Sequence, residues 1–171
     1  ARRRVDTGWA DLPPDKVTYE ISERVHAVGH GGLGAVHQFV QHIDLPRRID
    51  QRVRVLKAHR PYHESDHVLN LVYNVFCGGR TLEDIEVRRN DEAHLNALGV
   101  EAIPDPTTAG DFCRRFTEPD VDSLHEAIND ARLEVWRRQP AAFIDQRARI
   151  DVDGSIVPTT GECKEGMALS Y

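Results

Sequence analysis

Between residues 32 and 138 the apolar residues recur at helical spacing, and proline or glycine separates one run from the next. Such a pattern can bury its apolar residues only as a set of packed helices. It predicts helices at about residues 32–43, 46–56, 91–98, 107–116 and 119–138. Two more are expected between them. One is capped by Ser65 or Asp66 and ends at Gly78 and Gly79, and a short one opens at Thr81 with Asp84 as capping partner.

The pattern changes after Pro140. Ile150, Val152, Ile156 and Val157 alternate with polar residues, which is the period of a strand. The sequence therefore predicts a mainly α protein with three parts. Residues 1–25 form an extended arm, residues 26–140 form a helical domain, and residues 141–171 begin a second domain with a β-hairpin.

Charge is unevenly distributed along the chain, whose net charge is −6. Residues 1–60 hold 11 basic and 7 acidic residues, whereas residues 61–171 hold 11 basic and 21 acidic residues. A basic leading segment is compatible with contacts to phosphate and equally with an ordinary solvated surface. The three cysteines form no C-x-x-C pair, which argues against a disulfide framework or a structural zinc site and fits a reducing cytoplasm.

No apolar run approaches the roughly 20 residues that span a bilayer, so no membrane partner is expected. The basic N-terminus lacks the apolar stretch of a signal peptide. The chain opens on alanine and ends in the strand-like run MALSY. These ends lead us to expect a fragment of a longer protein.

Gly29, Gly31 and Gly34 form a literal G-x-G-x-x-G, and Asp50 follows at the distance of a ribose-binding acid. The residues before Asp50, LPRRI, do not form the buried strand that a dinucleotide site requires. No strand–helix alternation follows. We therefore interpret the glycines as a turn that leads into a helix.

His63, Glu64 and His67 form a literal H-E-x-x-H. Zinc hydrolysis needs both histidines on one face of a formed helix. Here Pro61 lies just upstream, so the two histidines are expected to straddle the helix start, and no third ligand follows at a useful spacing. The sequence favours a polar helix entrance over a zinc site.

The segment DPTTAGDFCRRF, residues 105–116, has small polar residues at its start and arginines near its end. It could be the second helix of a helix-turn-helix, with Thr107 and Thr108 in a DNA groove and Arg114 and Arg115 on phosphates. The alternative is a capped amphipathic helix that places its phenylalanines in the core.

Asp151 and Asp153 stand two residues apart in the strand-like segment IDVDGSIV, so a strand would present both carboxylates on one face. Such a pair can share a divalent cation in phosphoryl-transfer chemistry. A surface hairpin with two solvated acids is the alternative.

Four stretches together resemble the DDE transposases of bacterial insertion sequences. They are, in order, HGGLGAVHQFVQHIDLPRRID, HRPYHESDHVLNLVYNVFCGGRTLEDIEVRRNDEAHLNALG, PDPTTAGDFCRRF and IDVDGSIVPTTGECKEG. The resemblance spans roughly residues 26–171. It rests most heavily on GGRTLED, on RNDEA and on the Asp-Gly-Ser strand.

The resemblance implies a helical DNA-binding region followed by an RNase H-like α/β domain, truncated here after its opening hairpin. It implies double-stranded DNA, the terminal inverted repeats of the element, as the partner, with a homodimer in the transposition complex and a cytoplasmic, nucleoid-associated location. It also implies Mg²⁺ (or Mn²⁺) as cofactor, with Asp153 as the first catalytic and metal-ligating acid. The second aspartate and the glutamate of the triad have no counterpart in this chain, so this segment alone is expected to be inactive.

Two alternatives stay open. The first is a stand-alone helical module, derived from a transposase, that binds DNA or a protein without catalysis. The second is a haloacid-dehalogenase-like phosphatase, whose first motif D-x-D-G-T/S resembles the segment from Asp151 to Ser155. In that family Asp151 would be the nucleophile and Asp153 the general acid and base. That motif normally opens its domain, whereas here about 150 residues precede it.

Overall fold

The structure is a computed structural model that describes residues 29–59, 61–147 and 149–152. Across these residues the chain is mainly helical and has no strand, which confirms the predicted mainly α class. It divides into two compact units, one up to Arg138 and the other from Gln139 onward. The predicted extended arm, residues 1–25, lies outside the described residues.

The described part of the first unit consists of seven helices. They are α1 (Leu33–His42), α2 (Leu45–Arg52), α3 (Glu64–Phe76), α4 (Ile85–Arg89), α5 (Glu92–Leu98), α6 (Pro106–Cys113) and α7 (Glu118–Arg137). In the second unit the described residues include one short helix, α8 (Ala141–Ile144). Ile150 and Val152 are exposed and belong to no strand. The remainder of the predicted hairpin, from residue 153, lies outside the described residues.

Local capping sets several helix ends. The carboxylate of Asp91 accepts the backbone N–H groups of Ala93 and His94, so α5 begins at Glu92. Its C-cap is Gly99, whose φ of 68° is left-handed and suits a residue without a side chain. These are the ends that the sequence predicts for this helix.

Two helix ends differ from the prediction. α2 stops at Arg52 because Val53 turns to extended backbone and is fully buried, so the predicted extension to Leu56 is wrong. α3 begins two to three residues earlier than expected, with His63 as the N-cap residue. Asp66 is the partner of that cap rather than the cap itself, since its carboxylate accepts the His63 N–H at 2.8 Å.

Two glycines end α3 for different reasons. Gly78 has a φ of 83°, which strains any residue with a Cβ atom. A Cβ atom at Gly79 would lie 2.2 Å from the Oδ1 atom of Asn74. Asn74 is buried and cannot easily yield, because its amide donates to the Thr81 carbonyl at 2.9 Å. Both positions therefore favour glycine where the chain leaves α3.

α3 lies between two apolar clusters in the first unit and contributes to both. The first cluster joins α3 to α1, α4, α5 and α6, and its buried members are Leu33, Val40, Leu69, Tyr73, Cys77, Ile85, Leu98, Ile103 and Ala109. The second joins α3 to α2, α6 and α7 through Ile49, Val53, Val68, Phe112 and Ala127. Each fully buried aliphatic side chain stabilises the fold by about 1.5–3 kcal/mol relative to exposure.

Candidate functional site

The first turn of α3 is the point at which polar groups of the loop after α2 converge. Asp50 of α2 accepts hydrogen bonds from the Ser65 backbone N–H at 2.8 Å and from its hydroxyl at 3.0 Å. Glu64 is fully buried, and its Oε1 atom accepts the backbone N–H of Leu56 at 3.1 Å. These bonds hold Asp50 and Leu56 at the start of α3.

The two histidines of the H-E-x-x-H motif occupy different environments. His63 is the exposed N-cap residue, whereas His67 is buried inside α3 and stacks on Phe112 of α6 with ring centroids 4.5 Å apart. The predicted straddling of the helix start is therefore confirmed. The motif does not direct this pair of histidines toward a shared metal ion.

A different set of ligand atoms comes together at the same place. One ligand atom from each of His59, His63 and Glu64 lies within 4.8 Å of the other two. The rings of His59 and His63 are stacked, with centroids 5.4 Å apart. Sequence reasoning missed His59 because it looked for a third ligand after the motif, whereas the loop brings one from four residues before it.

Burial lowers the pKa of His67, so its ring favours the neutral form. The carboxylates of Asp66 and Glu64 oppose this shift, and the guanidinium of Arg115 adds to it.

α6 presents one face to its neighbours and the other to solvent. Ala109, Gly110 and Phe112 are buried, whereas Thr107 and Asp111 are exposed one turn apart. The structure thus shows the capped amphipathic helix that the sequence allowed, and it leaves a polar outer face.

The four residues predicted to contact DNA differ in their exposure and in their bonds to other residues of the protein. Thr107 and Arg115 are exposed. Thr108 is half-buried, and its hydroxyl donates to Asp105 at 2.7 Å as part of the α6 cap. Arg114 is exposed but forms an ion pair with Asp111. Thr107 and Arg115 are therefore the two with the most freedom to reach another molecule.

The helix that precedes α6 does not form a short helix-turn-helix with it. α5 ends at Leu98, and residues 99–105 connect it to α6. A helix-turn-helix has a turn of roughly 3–4 residues. The connection here is longer and holds a buried residue, Ile103, in the first cluster.

Three exposed cations lie on loops that share the second apolar cluster, and we call Arg54, Lys57 and Arg115 the basic edge. Arg54 and Lys57 flank Val55 and Leu56, and Arg115 precedes Phe116. Val55, Leu56 and Phe116 all pack on that cluster. Within the described residues none of the three cations forms an ion pair. Their charge is therefore available to an anionic partner.

The glycine motif forms a turn, as predicted. Residues 29–32 form turns, and α1 begins at Leu33. A Cβ atom at Gly29 or Gly31 would meet nothing within 4 Å, so no close backbone approach requires glycine there. Asp50, the would-be ribose acid, is engaged by Ser65.

The proposed catalytic residue, Asp153, lies outside the described residues. Asp151 lies within them and is exposed. The geometry of a shared cation site between these two acids therefore stays a prediction from the sequence.

Comparison with known proteins gives no family. No protein-family model, no curated protein and no solved structure matches the chain. No helix among the described residues has the length and apolar character needed to cross a membrane.

Proposed function

We propose that this chain is the DNA-binding part of a DDE transposase, with residues 29–138 holding duplex DNA and residues from 141 onward opening an RNase H-like catalytic domain. The order of the parts supports the proposal. A helical unit ends at Arg138, shortly before the Asp-x-Asp-Gly-Ser segment that resembles the first catalytic strand of this family.

The basic edge is the observation that carries the DNA-binding half of the proposal. An acidic protein repels duplex DNA unless cations are concentrated where contact occurs. Arg54, Lys57 and Arg115 are exposed, and within the described residues no carboxylate neutralises them. Thr107 of α6 and Arg114, which follows the helix, are also exposed, although Arg114 is paired with Asp111. The expected partner is double-stranded DNA, with the terminal inverted repeats of the element as its specific target.

The catalytic half of the proposal concerns Asp153. With the other two acids of a complete triad, its carboxylate would hold Mg²⁺ or Mn²⁺, hard cations that prefer oxygen ligands. Such ions stabilise the charge that develops on a phosphodiester during its displacement. A helical module that binds DNA without catalysis is the second candidate, and the compactness of the first unit on its own favours it.

The test is DNA binding by the full chain, measured by fluorescence anisotropy over a series of salt concentrations. The labelled duplexes are one of mixed sequence and several from the DNA that flanks its gene. The double variant Arg114→Ala with Arg115→Ala should weaken binding. It should also reduce the slope of log K against log salt by about 1 for each phosphate that an arginine no longer neutralises.

A matched control is Arg137→Ala with Arg138→Ala, which removes two adjacent arginines at the end of α7. Both of these arginines pair with Glu134, far along the chain from the basic edge. The control should bind DNA as the parent does. Equal loss in the two double variants would show only a general charge effect, and unchanged binding by a folded Arg114 and Arg115 variant would refute the assignment of this surface.

A further inference from the structure

We propose that His59, His63 and Glu64 bind a divalent transition-metal ion of the zinc class at the start of α3. The inference concerns a site separate from Asp153, and it holds or fails independently of DNA binding. It rests on the convergence of three ligand atoms, on a buried carboxylate oxygen without a hydrogen-bond partner, and on the chemistry of the donors.

Glu64 is the main evidence for a ligand at this site. Its side chain is fully buried, and a buried carboxylate is costly unless each oxygen is compensated. Oε1 has the Leu56 N–H, whereas Oε2 has no hydrogen-bond partner among the described residues. Oε2 lies close to a histidine ring but forms no hydrogen bond with it.

That histidine is His59, and its Nδ1 atom lies 3.1 Å from Oε2. The two atoms form an ion pair but no hydrogen bond, and Nδ1 has no hydrogen-bond partner among the described residues. Two lone-pair donors side by side are typical of ligands around a common cation. Bonds of about 2.0–2.1 Å in tetrahedral geometry place neighbouring ligand atoms about 3.3 Å apart. The Nδ1–Oε2 distance of 3.1 Å is close to this value, and all three ligand atoms lie within 4.8 Å of one another.

The donor set selects the metal. Two imidazoles and one carboxylate suit zinc, cobalt, iron or nickel, whereas Mg²⁺ prefers oxygen ligands alone. Three protein ligands also leave a fourth position. That position would open toward solvent, because the His59 side chain is 38% exposed and His63 is exposed.

The position of the site suggests what the ion does for the fold. His59 belongs to the loop after α2, whereas His63 and Glu64 cap and open α3. An ion held by all three would tie that loop to the helix, in addition to the Asp50–Ser65 and Leu56–Glu64 hydrogen bonds. Metal binding should therefore raise the melting temperature of the whole chain.

The test uses the full chain stripped of metal and titrated with Co²⁺, whose visible absorption reports tetrahedral nitrogen and oxygen ligation. Isothermal calorimetry with Zn²⁺ gives the stoichiometry and affinity. We expect one equivalent bound, a higher melting temperature and no competition from excess Mg²⁺. His59→Ala and His63→Asn should each weaken binding by at least about tenfold. Asparagine is chosen because it remains a good N-cap residue.

Glu64→Gln keeps the shape of the side chain and its acceptor for Leu56, so it removes the charged ligand with little damage to the fold. It should abolish the tetrahedral absorption. The matched control is His125→Ala, which removes an exposed histidine from α7 and should change nothing. Absence of saturable Co²⁺ binding, or binding that survives both histidine substitutions, would overturn the proposal and leave a simple His59–Glu64 ion pair.

Discussion

The imidazole of His67 stacks on the ring of Phe112, with centroids 4.5 Å apart and planes 12° from parallel. The contact joins α3 to α6. Phe116 then meets Phe112 edge-on at 5.1 Å, which carries the packing on toward α7. The Phe112 ring therefore contacts side chains on both sides of α6 in the chain. Arg115 of the basic edge immediately precedes Phe116 in the sequence.

Phe112→Ala should lower the free energy of unfolding by about 3–5 kcal/mol, because the ring is nearly fully buried and the cavity cannot close easily. Urea unfolding followed by circular dichroism measures the change. Phe39→Ala is the matched control. Phe39 is 51% exposed, so its truncation should lower the free energy of unfolding much less. Similar losses at both positions would contradict the described core.

Acidification should destabilise the protein in the range where histidines titrate. Burial lowers the pKa of His37, His67 and His94 from the ordinary value of 6.5. Below about pH 6.5 the unfolded chain therefore binds more protons than the folded one, and the free energy of unfolding falls as the pH falls. Above that range these three groups contribute no slope. At His67 the facing charges are Asp66 and Glu64, which reduce the effect, and Arg115, which increases it.

Urea unfolding at a series of pH values tests this expectation. His67→Gln should flatten the slope relative to the parent even if it also lowers stability at neutral pH. The carboxylates act in a lower range, because hydrogen bonds lower the pKa values of Asp84, Asp105 and Asp120 below their ordinary 3.8. A protein that became more stable between neutral pH and about pH 5 would contradict the buried, neutral state of these histidines.

Substitution of Arg52 should show how much its ion pairs with two carboxylates contribute to the stability of the protein. Its guanidinium donates to Asp130 at 2.9 Å through Nε and to Glu126 at 2.6 Å. Arg52→Lys keeps the charge but loses this forked geometry, so the melting temperature should fall slightly at low salt and approach that of the parent at high salt. Arg47→Lys, whose pair with Asp44 is local to α2, is the control. A fall in melting temperature that does not depend on salt would show that Arg52 stabilises the protein by packing rather than by charge.

Asp153 and Asp151 separate the proposed transposase from the phosphatase alternative. In a chain that carries the complete triad, Asp153→Asn should abolish Mg²⁺-dependent cleavage of a labelled element end, whereas Asp151→Asn should leave measurable cleavage. In a phosphatase, Asp151→Asn would instead remove the covalent aspartyl-phosphate. Robust cleavage by the Asp153→Asn variant would refute the assignment of Asp153 as a catalytic residue. Phosphorylation of Asp151 would refute the transposase proposal.

The helices were predictable from the sequence wherever local chemistry decides their ends. α5 has an aspartate cap and a glycine C-cap, and α7 has Pro119 in its first turn and Pro140 after its end, so the ends of both helices were predicted closely. Thr117 and Asp120 complete the α7 start, since the Asp120 carboxylate accepts the Thr117 N–H at 2.9 Å.

The remaining features depend on contacts between segments far apart in the chain. α2 stops early because Val53 is drawn into a cluster with Phe112 and Ala127, and no local pattern reveals that partner. The His59 contribution depends on a loop that folds back over α3. Of the basic edge only Arg115 was singled out from the sequence; Arg54 fell within the predicted second helix, and Lys57 was not considered.

The distance along the chain between α2 and α7 has a consequence for synthesis on the ribosome. The first apolar cluster is complete once residue 109 has emerged, since Ala109 is its last buried member. Ile49 and Val53 cannot pack against Ala127, and Arg52 cannot pair with Asp130, until α7 has emerged. The second apolar cluster therefore stays incomplete until Ala127 of α7 has emerged. Chaperones that capture short apolar stretches would meet the protein during that interval.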